Sequence, residues 1–362
     1  MKKLTRVIAL ALILCLCLPL LAQAEDNMTQ IKGTLKNSIK LKKSYPANPE
    51  IEGESPITGL PTNGEPYTPI IIDLDGSPAA YPHWGINDAD MLFQVPNAGA
   101  GSTKLMALFT STYPDQAGGV RSARGSMVPV ALCFDAAFGY AGIAPVKGKN
   151  ANVDDLTKKF NMKKGVKAYN LLGESQAYRS RIQGINEPHN LSAHIKQIHE
   201  HLIAENVPFE VRPFRFTDTP RTDGKNASYI KIVHRGDSVK KPVNPSSTSF
   251  FTYDEALGGY TRAYSEGEDV DRYTGVAPVF ANVIVLRVKF RWQNSYVYLD
   301  DHMSGTGVIE IFQNGHYVRG AWKRESATSR LILIGPDGNE LELQRGKTFI
   351  VVTNDATGVS YR

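Results

Sequence analysis

The sequence predicts an α+β fold, in which a mixed α/β N-terminal domain is followed by a mostly antiparallel β C-terminal domain. Three observations support this prediction. Residues 57–211 alternate short apolar runs with stretches of helical periodicity, whereas residues 226–356 consist almost wholly of short β-type runs separated by turn dipeptides. The third observation is length, because a chain of 362 residues exceeds one ordinary hydrophobic core. Residues 212–225, rich in Pro, Asp and Thr, form the predicted linker.

The first 24 residues have the pattern of a signal peptide. Basic residues lie within the first six positions, and an apolar run from Val7 to Leu21 follows them. This run is shorter than the roughly 20 residues of a membrane span. Small residues close the segment, so we expect cleavage near Ala24 and a mature protein that is extracytoplasmic, either secreted or associated with the cell wall. The sequence leaves open whether the segment is instead retained as an anchor.

Residues 25–56 are basic and contain several prolines, which indicates a tether in front of the folded domains. Its lysines favour peripheral association with anionic lipid or wall polymer. The whole chain has 41 basic and 36 acidic residues, and loss of Lys2, Lys3 and Arg6 with the signal peptide leaves 38 basic residues. Because this balance is nearly even, we expect no nucleic-acid partner.

The mixed N-terminal half contains predicted strands and helices in alternation. Short apolar runs bounded by Asp, Gly and Pro predict strands over 69–74, 91–95 and 104–110. The spacing of apolar residues and the potential caps predict helices over 126–138, 154–164 and 190–206. Ser126 and Asn190 are the expected N-caps of the first and last of these helices.

The C-terminal half contains predicted β-strands throughout. They are expected over 229–233, 249–253, 283–288, 308–312, 331–334 and 348–352. Asn314-Gly315 and Asp337-Gly338 lie between some of these runs, and both residue types accept the positive φ of tight hairpin turns. This spacing is typical of a small β-sandwich or an open barrel.

The strongest candidate site is the loop from Gly118 to Ser126, which contains two glycines followed by two arginines. We expect Arg121, Ser122, Arg124, Gly125 and Ser126 to bind an anion, because arginine forks hold carboxylate or phosphate and the N-terminus of a predicted helix lies here.

The alternative for this loop is structural. In that case the two arginines would form ion pairs with acidic residues of the protein, the candidates being Asp88, Asp90 and Asp135.

The second candidate is His189-Asn190. A histidine ahead of a helix could act as an acid or base near neutral pH, although capping alone would explain Asn190. An enzymatic role would need a carboxylate such as Asp88 or Asp90 within reach of His189. The sequence contains no clustered metal ligands and no true phosphate loop, so we expect neither a metal nor a cofactor.

Several motifs occur in an order that resembles a known family. They are residues 55–61 (SPITGLP), 87–90 (NDAD), 103–109 (TKLMALF), 120–124 (VRSAR), 188–190 (PHN), 282–285 (NVIV), 305–307 (GTG) and 320–324 (GAWKR). Together they resemble the YerB-like lipoproteins, a bacterial family of unknown function with distinct N- and C-terminal domains. The resemblance implies an envelope protein with no established reaction. The lipid-modified cysteine usual in that family is absent here, because Cys15 and Cys17 each follow a leucine.

The sequence therefore favours an extracytoplasmic binding protein over an enzyme. The expected ligand is an anionic wall polymer or an envelope protein, bound through Arg121, Arg124, His189 and Asn190. The alternative is an envelope hydrolase or transferase that uses His189 as general acid or base and the two arginines to stabilise a developing oxyanion.

Overall fold

A computed structural model describes residues 27–97, 101–146, 152–173, 176–234, 248–264, 267–293 and 296–362. The predicted signal peptide lies outside the described residues. Within these ranges the α-helices are α1 (Val128–Leu132), α2 (Val153–Lys159) and α3 (Ile195–Ala204). No helix in the described part of the chain is both long enough and apolar enough to cross a membrane.

Strands occur along the whole described chain. Those before residue 220 are β1 (Thr29–Ile31), β2 (Ile70–Leu74), β3 (Met91–Pro96), β4 (Thr103–Phe109), β5 (Ala117–Gly118), β6 (Ala137–Tyr140), β7 (Ala168–Asn170), β8 (Arg179–Arg181), β9 (Leu191–Ala193) and β10 (Arg215–Thr217). Those after it are β11 (Lys225–Asn226), β12 (Tyr229–Val233), β13 (Thr248–Asp254), β14 (Gly259–Tyr264), β15 (Gly267–Glu268), β16 (Val279–Arg287), β17 (Phe290–Gln293), β18 (Tyr296–Leu299), β19 (Gly305–Gln313), β20 (His316–Arg324), β21 (Ile332–Ile334), β22 (Glu342–Gln344), β23 (Lys347–Thr353) and β24 (Gly358–Tyr361).

The predicted α+β fold with a mixed α/β N-terminal domain is wrong. The protein is mostly β, with 39% of its residues in strands and 11% in helices, and most strands belong to one large mixed sheet. The predicted helices are the source of the error, because each is shorter than its sequence pattern suggested.

The helix predicted over 126–138 ends after Leu132. Asp135 adopts a left-handed φ of 52°, which stops the helix, and Ala137–Tyr140 then form a strand beside β2. Ser126 is not an N-cap, since the residue ahead of α1 is Met127. The helix predicted over 154–164 is likewise confined to Val153–Lys159, capped by the Asn152 side chain.

The helix predicted over 190–206 begins only at Ile195. The residues in front of it form β9, which pairs with β5 on one side and β8 on the other. Asn190 therefore precedes a strand and caps no helix. The apolar residue Leu191, which suited the helical spacing, is buried in this three-stranded sheet instead.

The central sheet runs through both halves of the sequence. Its order is β7-β6-β2-β4-β3-β23-β16-β19-β20, with β2, β6 and β7 parallel to one another. The parallel pairing of β3 with β23 joins N-terminal strands to C-terminal ones. Both faces of this sheet are covered, as expected for strands whose residues are nearly all apolar.

The segment predicted to be a tether lies against the β-rich half. β1 pairs with β24, the last strand of the chain. Ile39, Leu41 and Tyr45 pack against a small cluster of buried apolar side chains, and the guanidinium of Arg330 donates a hydrogen bond to the carbonyl oxygen of Pro46 at 2.7 Å. Contacts of this kind fix the path of a chain, whereas a flexible spacer makes few of them.

Candidate functional site

Polar side chains collect where the parallel strands β2, β6 and β7 end. Asp73 and Asp75 lie at the end of β2, Tyr140 is the last residue of β6, and Asn170 is the last residue of β7. In open sheets, the crevice outside the carboxyl ends of parallel strands is the usual position of a ligand site. We call this region the carboxyl edge.

The arginine loop crosses the carboxyl edge and is held by backbone hydrogen bonds on both sides. The amide of Arg121 donates to the carbonyl oxygen of Asp73 at 3.3 Å, and the amide of Ala141 donates to the carbonyl oxygen of Arg121 at 2.8 Å. The amide of Ala123 donates to Gly142 at 3.0 Å. The loop is therefore fixed between the ends of β2 and β6.

The two glycines ahead of the arginines allow the loop to approach His189. A Cβ atom on Gly119 would clash with the carbonyl oxygen of His189, and one on Gly118 would clash with the ring of Trp84. The amide of Val120 donates to the carbonyl oxygen of Leu191 at 2.7 Å. Glycine is thus required for the arginine loop and the His189 segment to lie side by side.

Asp75 is the centre of the charged cluster. Its Oδ2 atom lies 2.7 Å from Nδ1 of His189 and 3.0 Å from Nε of Arg121, and its Oδ1 atom accepts a hydrogen bond from the amide of Ser77 at 3.0 Å. Burial alone would raise the pKa of Asp75. The hydrogen bonds from His189 and Ser77, together with the charges of Lys104 and Arg121, lower this pKa overall, so the carboxyl group is ionised.

His189 is oriented by this carboxylate. An ionised carboxylate can only accept a hydrogen bond. Nδ1 of His189 therefore carries the hydrogen and donates a hydrogen bond to Asp75. Within the part of the chain that the structure describes, Nε2 makes no hydrogen bond to protein. The side chain is 21% exposed, so Nε2 is available to a ligand.

A second acid–base pair lies beneath the cluster. Lys104 forms a buried ion pair with Asp73 and also donates to the carbonyl oxygen of Ser122 at 2.9 Å. Burial raises the pKa of Asp73 to about 7, although Lys104 opposes the shift, and burial lowers the pKa of Lys104. Lys104 therefore serves as an internal cation.

Arg124 is the least compensated cation of the cluster. Its Nη1 atom donates to the carbonyl oxygens of Ser122 at 2.7 Å and Ala123 at 3.1 Å, and its guanidinium lies 5.2 Å from the ring centroid of Tyr296. Among the described residues, no carboxylate lies within ion-pair distance of it. Burial lowers its pKa, although the ordinary value is so high that the group stays charged.

The predicted site residues divide into two groups. Arg121, Ser122, Arg124 and His189 meet at the carboxyl edge. Gly125 and Ser126 are buried behind it, where the Ser126 hydroxyl donates to the carbonyl oxygen of Pro96 at 2.9 Å.

Asn190 belongs to the second group as well. Its side-chain oxygen accepts a hydrogen bond from Arg181 at 2.6 Å, so it is engaged with the neighbouring strand.

The predicted internal partners of the arginines are engaged elsewhere. Asp90 accepts hydrogen bonds from the amides of Thr110 and Ser111, and Asp135 forms an ion pair with Lys167. Sequence reasoning missed Asp75 as the partner of Arg121. Asp75 could have been identified from the pattern Asp-Leu-Asp that follows the apolar run 70–72. Polar residues at the end of a buried strand often line a site.

The described residues contain no group of three or more His, Cys, Asp or Glu side chains that could hold a metal ion. The polar groups of the carboxyl edge are instead suited to hydrogen bonding and charge compensation of an anion. On its partly exposed side, Arg121 and Arg124 offer hydrogen-bond donors and Nε2 of His189 offers an acceptor.

Comparison with known proteins gives two family matches along the chain. Residues 57–208 match the N-terminal domain of a family described as "Protein of unknown function (DUF3048)", and residues 239–350 match the C-terminal domain of the same family. The chain is similar to "Putative lipoprotein YerB" of Bacillus subtilis (strain 168), with 26% identity over 313 residues, which cover 85% of this chain and 88% of that protein.

A crystal structure of the YerB protein from Bacillus subtilis has a similar fold. The TM-score is 0.69 at 24% sequence identity, and the alignment covers 84% of this chain and 99% of that one. At this identity the likeness concerns the fold alone.

Proposed function

This chain belongs to the DUF3048 family, as the motifs in its sequence predicted, and we propose that it binds an anionic ligand of the bacterial cell envelope at the carboxyl edge. A position outside the cytoplasm is supported by the signal-peptide pattern of residues 1–24 and by the lipoprotein name of its Bacillus relative. The proposed ligand is a wall polymer.

The observation that carries this proposal is the excess of cations at a partly open position. Among the residues that the structure describes, Lys104, Arg121 and Arg124 face two carboxylates, those of Asp73 and Asp75. Arg121 retains 34% of its side-chain exposure. An approaching anion would be attracted by the uncompensated charge and held by the fixed arginine donors.

Removal of the two arginines tests this function. The Arg121→Ala/Arg124→Ala variant should bind purified wall polymer at least tenfold more weakly in a titration, because each charged hydrogen bond contributes about 1.5–3 kcal/mol. The fold should survive, since the carbonyl oxygen of Ser122 keeps its hydrogen bond from Lys104.

Arg272→Ala is the control for loss of an exposed arginine. Among the described contacts, the Arg272 side chain donates one hydrogen bond, to the carbonyl oxygen of Pro82. The Arg272→Ala variant should bind the polymer with the affinity of the unmodified protein. Unchanged polymer affinity in the double arginine variant would contradict the proposal. A large fall in its melting temperature would instead assign the arginines to the structure.

A second candidate function is supported by the Asp75–His189 pair. The enzymatic alternative needed a carboxylate within reach of His189, and Asp75 supplies it at 2.7 Å, in place of Asp88 or Asp90. A carboxylate that fixes the tautomer on Nδ1 leaves Nε2 free to act as general base or acid, with Arg121 positioned to stabilise negative charge.

The His189→Ala variant distinguishes the binding function from the enzymatic one. If the protein is an envelope hydrolase or transferase, incubation with wall polymer should give products detectable by mass spectrometry, and His189→Ala should abolish them while binding persists. If the unmodified protein releases no product from the polymer it binds, the enzymatic candidate fails and the binding function stands.

A further inference from the structure

We propose that the ligand is a linear phosphodiester polymer that extends from the carboxyl edge into an adjoining lysine-lined groove. This inference rests on the proposed function and specifies its ligand class. The groove has a volume of about 590 Å³ and lies beside α2 and the ends of β6 and β7. Its lining is mostly polar and includes Tyr140, Thr157, Asn161 and Asn170.

Three ammonium groups surround this groove. Lys158, Lys163 and Lys164 line it, all three are exposed, and none forms an ion pair within the described ranges. Asp154 is the one acidic residue among the described groove residues. The described lining therefore carries more positive than negative charge, since three lysines face one aspartate.

Residues that line the groove are joined to the arginine loop by hydrogen bonds of the adjoining backbone. Tyr140 lines the groove, and the next residue, Ala141, donates its amide hydrogen to the carbonyl oxygen of Arg121. Asn170 also lines the groove, and its side-chain oxygen accepts from the amide of Gly142 at 2.9 Å. A ligand that lies along the ends of β6 and β7 would meet both clusters of cations.

The arrangement selects the class of ligand. A single small anion would occupy one cluster and leave the other empty, whereas a chain with one charge per repeat can contact both. The described groove residues include lysines and no arginine, and lysine binds phosphate as a point charge, while the arginine forks of the carboxyl edge also hold phosphate. The hydroxyl and amide groups between the lysines suit the uncharged part of each repeat.

Occupation of both clusters by one chain has two measurable consequences. The second contact forms at high effective concentration, so a long chain binds more tightly than its repeat unit. Each phosphate neutralised also releases counterions, and by analogy with single-stranded nucleic acid each contact contributes about 0.7 to the slope of log affinity against log salt concentration.

The experiment compares three proteins on three probes, which are poly(glycerol phosphate) of defined length, polyglutamate of the same length and inorganic phosphate. The groove variant is Lys158→Gln/Lys163→Gln/Lys164→Gln. The matched control is Lys196→Gln/Lys225→Gln/Lys289→Gln, which removes the same charge from exposed lysines that lie outside both the groove and the basic segment 25–56. Since all six lysines are exposed, these variants should fold normally, and the melting temperature checks this.

We expect the groove variant to bind the polymer at least tenfold more weakly, with a salt slope reduced by about 2, and to bind inorganic phosphate normally. The control variant should behave as the unmodified protein on all three probes. Equal weakening in the control would overturn the groove assignment, because general attraction would then explain the binding. Equal affinity for polyglutamate of the same length would overturn the phosphodiester class.

The arginine variant separates this inference from the proposed function. If Arg121→Ala/Arg124→Ala loses polymer binding and the groove variant retains it, the groove is not used and the proposed function stands. If the groove variant loses binding and the arginine variant retains it, the carboxyl edge is not the anion site, and the combined path proposed for the polymer is refuted as well.

Discussion

Replacing Asp75 with Ala should destabilise the protein by about 2–4 kcal/mol at pH 7. This magnitude is the sum of the hydrogen bonds and the ion pair that the Asp75 carboxylate makes. Hydrogen bonds from His189 and from the amide of Ser77 reach an ionised, largely buried group, and such bonds contribute about 1.5–3 kcal/mol. The ion pair with Arg121 adds only about 0.2–1 kcal/mol, because the arginine is 34% exposed and screened by solvent.

This loss should depend on pH in a defined direction. The pKa of Asp75 is lower in the folded protein than its ordinary value of 3.8, so the folded state binds fewer protons in this range. The stabilisation is therefore fully present above about pH 4 and is lost as the pH falls through the lower, folded-state pKa. The difference between the unmodified protein and Asp75→Ala should be constant from pH 5 to 7 and should shrink in stronger acid.

Urea denaturation at pH 7, 5, 4 and 3 measures this difference. The Asp75→Asn variant is the matched comparison, since it keeps the shape of the side chain and an oxygen that accepts from His189 without the charge. Two results would refute the assignment of Asp75 as the charged centre of the cluster. One is a difference in unfolding free energy between the unmodified protein and Asp75→Ala that is the same at pH 3 as at pH 7. The other is a difference below about 0.5 kcal/mol at pH 7.

Three further predictions concern the fold. Glu310→Ala should cost about 3–5 kcal/mol in urea denaturation, because its fully buried partner Arg287 is left unpaired, and Arg287→Met/Glu310→Leu should recover most of the loss. Gly119→Ala should lower both the melting temperature and polymer affinity, since its Cβ clashes with the carbonyl oxygen of His189, whereas Gly173→Ala, with no atom nearer than 3.7 Å, should change neither. Removal of residues 27–48 should lower the urea midpoint, because Ile39, Leu41 and Tyr45 lose their apolar contacts; an unchanged midpoint would show that these contacts contribute nothing.

Local sequence signals predicted the parts of the fold that depend on neighbouring residues. The strand over Tyr229–Val233 has the predicted bounds, because its alternating buried residues have the period of a half-buried strand. Asn314 and Gly315 form the expected hairpin turn between β19 and β20, with φ values of 49° and 71°. Both features are determined by a few adjacent residues.

Features that depend on distant partners could not be predicted in this way. Leu191–Ala193 form a strand because Ala117–Gly118 and Arg179–Arg181 are brought beside them, and neither partner can be identified from the local pattern. Asp75 became part of the candidate site only because the fold places it against His189, 114 positions later. The two arginines were identifiable from their loop, but the carboxylate that orients the histidine was not.

The pairing of β3 with β23 has a consequence for how this protein could be divided. A gene fragment that encodes only the first matched segment would leave the β3 side of Met91–Gln94 without its backbone partners in β23 and would lack the C-terminal apolar side chains of the same core cluster. Such a fragment would present an adhesive strand to any other chain. Recombinant work should therefore express both segments together, since they share one sheet and one apolar core cluster.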